Sequence, residues 1–396
     1  SSPSQGPWRY LHPDDLRGAA QLATEATLGT PRLVEAVHAS VLTHLRPGSA
    51  GVRSHTTGLT GWIYRTIRRL TRLSGYGTTW AIGAVDQVAG PTPRPNTESR
   101  HRLLSVLNGV LGDHLAATGS PLAHAFSLRA SDGRRLDPND PGFVGTDTLV
   151  VFVHGLCFSD RAWIPTMSDR PGHVDVLAAA VDGTPVLARY NTGRSIGANG
   201  QALSSHLQRW AAQPNGPSRV VLVTHSMGGL VARSAVRHAH QTGACWPGLV
   251  TETVYLGTPH RGAPLERAGA WVENQLRRVS VTAPFAALAD LRSRGIQDLR
   301  HGTTAPNDDA PSVHSRDDTT PSSDRTLYVA GTLTPNQPTR NAVGDGLVPV
   351  SSALDTSASS FPANRQVFEG VGHLDLLHDP AVTEYLRHWL STVDRY

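Results

Sequence analysis

Six short, almost wholly apolar runs constrain this chain more than any other feature: Thr148–Val153, Pro185–Ala188, Val220–Thr224, Thr253–Leu256, Thr326–Ala330 and Gln366–Phe368. A strand with one wet face alternates apolar and polar residues, so a run that is apolar throughout needs cover on both faces. Stretches with helical periodicity separate the runs, clearest at Gly200–Gln213, Met227–His240 and Pro380–Val393. Strand alternating with helix predicts an α/β fold, a parallel sheet with helices on both faces. Ahead of the sheet, Phe126–Ala130 followed by Asp132-Gly133 is a hairpin signal.

Residues 1–120 read differently, as an all-helical N-terminal region ahead of an α/β domain at 121–396. Apolar residues recur at helical spacing in Leu33–Leu45, in Leu59–Leu73 and in Glu98–Ala117. The Pro-rich segment Ala89–Asn96 cannot be helical and reads as a linker. Inside the α/β domain an insertion at about 263–325 breaks the alternation. Ala263–Arg300 is helical in period, and His301–Arg325 is a polar Thr/Ser/Pro/Asp loop. Such an insertion is expected either to cap the Ser226 region or to pack as ordinary helices without gating it.

Composition excludes several classes of function. No run of about 18 apolar residues exists, so no transmembrane segment is expected. Ser1–Asp15 lacks the basic and apolar parts of a signal peptide, and the compartment stays open. The net charge is +4 and all 36 basic residues are Arg, as a GC-rich genome would favour. The Arg-bearing helix at 59–73 offers peripheral contact with an anionic membrane surface, or is simply a solvated face. Nothing specific points to nucleic acid or to an obligate protein partner. Cys157 and Cys245 fall at opposite ends of their strands, about 20 Å apart, so two free thiols are expected. Cys157, beside a functional loop, is a candidate for inactivation by thiol reagents. No Cys/His spacing of the zinc type occurs, and neither metal nor other cofactor is expected.

Chemistry concentrates where Val220–Thr224 runs into His225-Ser226-Met227-Gly228-Gly229 and then a helix. A Ser on a strained strand-to-helix turn has its hydroxyl lifted above the sheet edge, which suits a nucleophile. Gly228 satisfies the small position two after the Ser, whereas Thr224 stands where Gly is usual, a partial match. Acyl transfer also needs donors for the developing oxyanion. The backbone N–H groups of Leu156, in the loop after Thr148–Val153, and of Met227 are the expected pair. Gly155 allows that loop to turn tightly. His154, Gly155 and His225 are expected to line the bound substrate, and His154 is better read as structural than as a base.

In folds of this kind the acid and then the His follow the Ser in the chain. His373, after the last strand in Glu369-Gly-Val-Gly-His373, leads, with His378 in reserve. Asp345, between two glycines, is the best-placed acid, with Asp355 as the alternative. His373 would then take the Ser226 proton while Asp345 orients the imidazole.

With these residues in order, residues 126–396 resemble a bacterial lipase/esterase-type α/β hydrolase. They are similar to the group allied to GPI inositol-deacylases and to triacylglycerol lipases. The stretches that carry the resemblance are Phe152–Leu156, Tyr190–Arg194, His225–Gly229, Leu256–Gly262, Gly344–Pro349 and Gly372-His373. It implies the α/β-hydrolase fold, a Ser226–His373–Asp345 triad and a small-molecule ester or lipid as substrate. Two other readings stand beside it: a thioesterase or acyltransferase with the same triad, and a non-catalytic lipid- or partner-binding protein on a degenerate hydrolase scaffold.

Overall fold

The computed structural model describes residues 98–138, 147–165, 171–264, 293–301, 325–334, 343–355 and 364–392, together with Gly18, Gln21 and Asn341. The helices expected at Leu33–Leu45 and Leu59–Leu73, the linker at Ala89–Asn96 and most of the 263–325 insertion lie outside the described residues. Within that insertion, helix α5 (Arg294–His301) is described. Among the described residues no helix is long and apolar enough to cross a membrane.

Contacts divide the chain into two units. The first comprises residues 1–97 and 118–122, where Gln21 Nε2 donates to the Thr118 carbonyl at 3.4 Å. The second holds everything else, including α1 (Glu98–Ala117). Sequence periodicity grouped this helix with the N-terminal region, but its packing is with the sheet unit. Leu104, Leu107, Val110, Leu111 and Leu115 are buried. Asn191 Nδ2 donates to the Gly112 carbonyl at 2.7 Å, and Ser293 Oγ to that of Gly109 at 2.6 Å.

The second unit is built on a seven-stranded sheet in the order β1-β3-β2-β4-β5-β6-β7. Its strands are β1 (Ser127–Arg129), β2 (Thr148–Val153), β3 (Thr184–Arg189), β4 (Arg219–His225), β5 (Val250–Leu256), β6 (Thr326–Thr332) and β7 (Asn364–Glu369). Only β1 is antiparallel, paired with β3 through Leu128 and Ala188; the others run parallel. The hairpin signal corresponds to a turn closed by Gly133 N–H on the Ala130 carbonyl at 2.9 Å, with a bridge between Arg129 and Arg135.

Helices cover both faces, as the apolar strands require. On one, Val150, Phe152, Val221, Val223, Val254 and Leu256 form a core with α2 (His173–Ala180) and with α7 (Pro380–Ser391), which follows the short α6 (Val350–Ala353) and β7. On the other, α3 (Ile196–Ala211) packs on α4 (Met227–Thr242). Ser195 caps α3 by accepting from Ala198 N–H at 3.1 Å, which sets the helix start before the Gly200 suggested by periodicity. Asp379 caps α7 by accepting from Ala381 N–H at 2.8 Å, with Pro380 in the first turn.

This strand order fixes where a site can form. From β2 the chain crosses outward to β3, then returns past β2 to β4, and proceeds the other way through β5, β6 and β7. Connections that leave in opposite directions open a crevice at the carboxyl ends of β2 and β4, the usual ligand position in open α/β sheets. Val153 pairs with Thr224, so the loops beginning at His154 and Ser226 emerge side by side.

Candidate active site

Ser226 joins β4 to α4 with φ 53° and ψ −128°, a left-handed conformation that a residue with a Cβ adopts under strain. Neighbouring backbone holds it there. Ser226 N–H donates to the Leu256 carbonyl at 2.8 Å. Gly228 is required by close approach, since a Cβ would lie 2.3 Å from the Val153 carbonyl oxygen and 2.6 Å from that of His154. Thr224, the departure from the usual turn, is fully buried and donates its hydroxyl to the Val254 carbonyl at 2.9 Å. The extra side chain is accommodated, and its polar atom is satisfied by the adjacent strand.

Across the crevice, Asp345 and His373 are both buried and bonded. Asp345 Oδ2 lies 2.7 Å from His373 Nδ1, while Oδ1 accepts from the N–H groups of Leu347 at 3.0 Å and Val348 at 2.7 Å. The backbone adds a second tie, His373 N–H to the Asp345 carbonyl at 3.0 Å. A carboxylate accepting from Nδ1 fixes the tautomer with Nδ1 protonated and leaves Nε2 as a lone-pair base. That Nε2 is buried, with no hydrogen-bond partner among the described residues.

Two further residues tie this pair to the Ser226 turn. His225 Nε2 bonds the His373 carbonyl at 2.9 Å, and the two rings lie 4.8 Å apart. Burial first, then the proximity of His373, holds the His225 pKa well below its ordinary value, so this ring stays neutral. Gly257, after the Leu256 carbonyl that accepts from Ser226, has φ 56°. A Cβ there would meet Leu376 Cδ1 at 2.9 Å, Asp345 Oδ2 at 3.1 Å and His373 Nδ1 at 3.2 Å. The sequence places His225 on the expected substrate wall and gives Gly257 no role; this bracing of the His373 loop follows from contacts that are remote in the chain.

The loop after β2 is held by residues from the end of β3. Tyr190 donates its hydroxyl to the His154 carbonyl, and its ring stacks on His154 with centroids 4.3 Å apart. Cys157 N–H donates to Thr192 Oγ1 at 3.2 Å. Among the described residues, no hydrogen bond engages the backbone N–H of Leu156 or of Met227. Gly155 packs against Ser226, a Cβ at that position reaching 2.9 Å from the Ser226 Cβ. His154 is fully buried, its Nδ1 directed to the Gly155 carbonyl at 2.9 Å, and burial lowers its pKa to about 4.

The reserve residues are placed elsewhere. Asp355 faces Arg233 at 3.3 Å, and His378 lies on the wall of a neighbouring cavity. Both thiols are free, Cys245 exposed and Cys157 buried. Burial pushes the Cys157 thiol up to about 12, which corrects the expectation of a reagent-sensitive cysteine, because the nucleophile in such reactions is the thiolate. Among the described residues no group of three or more His, Cys, Asp or Glu could hold a metal ion.

A mostly parallel seven-stranded sheet, helices on both faces and a Ser turn at its switch point define the α/β-hydrolase fold. Residues 194–328 match the family described as PGAP1-like alpha/beta domain, a span that contains Ser226 and ends before Asp345 and His373. A search of curated proteins finds no match. Among solved structures, the mature Bacillus licheniformis lipase BlEst2 is 19% identical with a TM-score of 0.42, covering 67% of this chain and 98% of that one. An esterase of the bacterial hormone-sensitive lipase family is 17% identical with a TM-score of 0.38, covering 76% and 93%. A thermophilic esterase from Thermogutta terrifontis is 17% identical with a TM-score of 0.37, covering 68% and 93%.

Proposed function

We propose that this protein hydrolyses carboxylic esters through Ser226, His373 and Asp345. The observation that carries this reading is the buried Asp345–His373 pair at 2.7 Å, with Nε2 unbonded among the described residues and the pair tied through His225 to a strained serine turn. In the first half-reaction Ser226 Oγ attacks the ester carbonyl carbon as its proton passes to His373 Nε2. The tetrahedral oxyanion is received by the N–H groups of Leu156 and Met227, each such donor contributing about 3 kcal/mol of transition-state stabilisation. Collapse breaks the bond to the alkoxy oxygen, and His373 returns the proton to the departing alcohol. Water then attacks the acyl-enzyme carbonyl, giving its proton to His373, and the acid departs as Ser226 recovers its hydrogen. Asp345 keeps the imidazole in the productive tautomer and stabilises the imidazolium formed in each half. Gly155 and His154 shape the oxyanion loop, and His225 holds the His373 loop.

A fluorophosphonate probe tests the reading directly, since it reacts only with an activated serine. Wild-type protein is expected to be labelled on Ser226, and Ser226→Ala and His373→Ala are expected to stay unlabelled. Absence of labelling in wild type, or equal labelling of Ser226→Ala, would refute it and leave a binding role on the same scaffold.

A further inference from the structure

A cavity of about 320 Å³ is walled by helix α1, the segment from Cys157 to Ile164, and the turn from Leu374 to His378. Cys157 follows Leu156, and Leu374 follows His373. Two of the three walls are thus chain neighbours of the groups that the proposed reaction uses.

Among the described residues the lining combines apolar side chains such as Val106, Phe158 and Leu377 with one cation, Arg161, that lacks a protein counterpart. Among the described residues no acceptor takes the Arg161 guanidinium, and its Nε is buried without a partner. The neighbouring carboxylate is already used: Asp160 is held in bidentate fashion by Arg189, through Nε to Oδ1 and through NH2 to Oδ2 at 3.0 Å. Glu98, the acid on the cavity wall, is exposed and paired with Arg102 at 3.0 Å. Burial first, then the charges of Arg189 and Arg161, lowers the His101 pKa and keeps that ring from adding a charge of its own. A buried guanidinium N–H with no acceptor is unfavourable in the empty site, and an oxyanion would relieve it.

We propose that this cavity is a specificity pocket in which Arg161 binds an oxyanionic group, a carboxylate or phosphate, carried by the ester substrate. The inference rests on the hydrolase reading for the bond that is cut, but the anion site itself does not depend on turnover. The apolar remainder of the lining would receive a short hydrocarbon spacer between the ester and the charge.

The test has a kinetic and a binding arm. In the first, selectivity is measured between esters of matched length with and without a carboxylate. One pair carries the charge in the acyl part, p-nitrophenyl pentanoate against mono-p-nitrophenyl glutarate. The other carries it in the alcohol, propyl butanoate against carboxymethyl butanoate. Wild type should favour the charged member of at least one pair, and Arg161→Gln should lower that preference roughly 10–100-fold. In the second arm, glutarate and inorganic phosphate are titrated calorimetrically into Ser226→Ala, with and without Arg161→Gln, and one of them should bind at least tenfold more weakly without the guanidinium. Arg161→Lys, which keeps the charge but not the fork, serves if the Gln variant does not fold, and should retain part of the preference. Selectivity and binding that are both independent of Arg161, with Ser226 labelled by fluorophosphonate, would overturn the pocket and leave the hydrolase standing. Arg161-dependent binding with an unlabelled Ser226 would do the reverse.

Discussion

Ser226, Asp345 and His373 come from three separate turns, each held by backbone bonds to its neighbours. Strain of about 1–3 kcal/mol at φ 53° is sustained because Gly228 permits close approach and the Leu256 carbonyl holds the serine amide. Asp345→Asn sharpens the role of the acid. An Asn could keep an oxygen on the Leu347 and Val348 amides and turn its NH2 toward His373 Nδ1. The imidazole would then carry its proton on Nε2, where the base must be bare. We expect kcat to fall by about 10⁴-fold with the circular dichroism spectrum unchanged; unaltered turnover would remove Asp345 from the mechanism. The cysteines give a second test. Iodoacetamide should alkylate exposed Cys245 in the native protein and spare Cys157, as read by mass spectrometry. Modification of native Cys157 at a comparable rate would contradict the buried, protonated thiol. The candidate trio Ser226, Asp345 and His373 was legible because chain order and flanking glycines are local signals. The bracing by His225 and Gly257 was not, since each acts on atoms that are remote in the chain.

Among the elements, α3 and α4 approach closely because Gly200 has no side chain. A Cβ there would lie 2.5 Å from Ser234 Cβ and 2.9 Å from the Ala235 backbone nitrogen. Because the obstacle includes backbone, Gly200→Ala should destabilise the fold by about 1–3 kcal/mol despite the better helix propensity of Ala. Urea unfolding measures this, and a variant as stable as wild type would show that the helices can separate at no cost. The six apolar runs predicted the six parallel strands to within a few residues, because burial on both faces leaves an unbroken signal. Helix α2 leaves no clear signal in the sequence, because eight residues with three consecutive alanines carry little periodicity. The allegiance of α1 was hidden for another reason, since an amphipathic pattern announces a buried face without saying what covers it.

For the molecule as a whole, buried histidines make stability depend on pH. His173 joins α2 to the turn after His373 and to α7, with Nε2 at 2.9 Å from the Leu376 carbonyl and Nδ1 at 2.8 Å from Thr383 Oγ1. Burial lowers the pKa of both His173 and His154 to about 4 in the fold, against an ordinary 6.5. Below pH 6.5 the unfolded chain therefore takes up protons that the folded one refuses. Stability is fully present above that pH and declines on acidification, by about 1.4 kcal/mol per pH unit for each such histidine, until pH approaches 4. Urea midpoints at pH 7.5, 6.5 and 5.5 should fall accordingly, with a shallower fall in His173→Gln; a flat profile would refute it. By itself the sequence determined the α/β layering, the strands and the serine turn, because hydrophobic period and turn chemistry act over a few residues. Tertiary structure alone decided that α1 packs with the sheet unit and that Cys157 is buried. It also decided that Thr224 fits beside β5 and that Arg161 lines a cavity with no counter-ion among the described residues. Each of these depends on which distant surfaces meet, and such contacts are set by the folded chain as a whole.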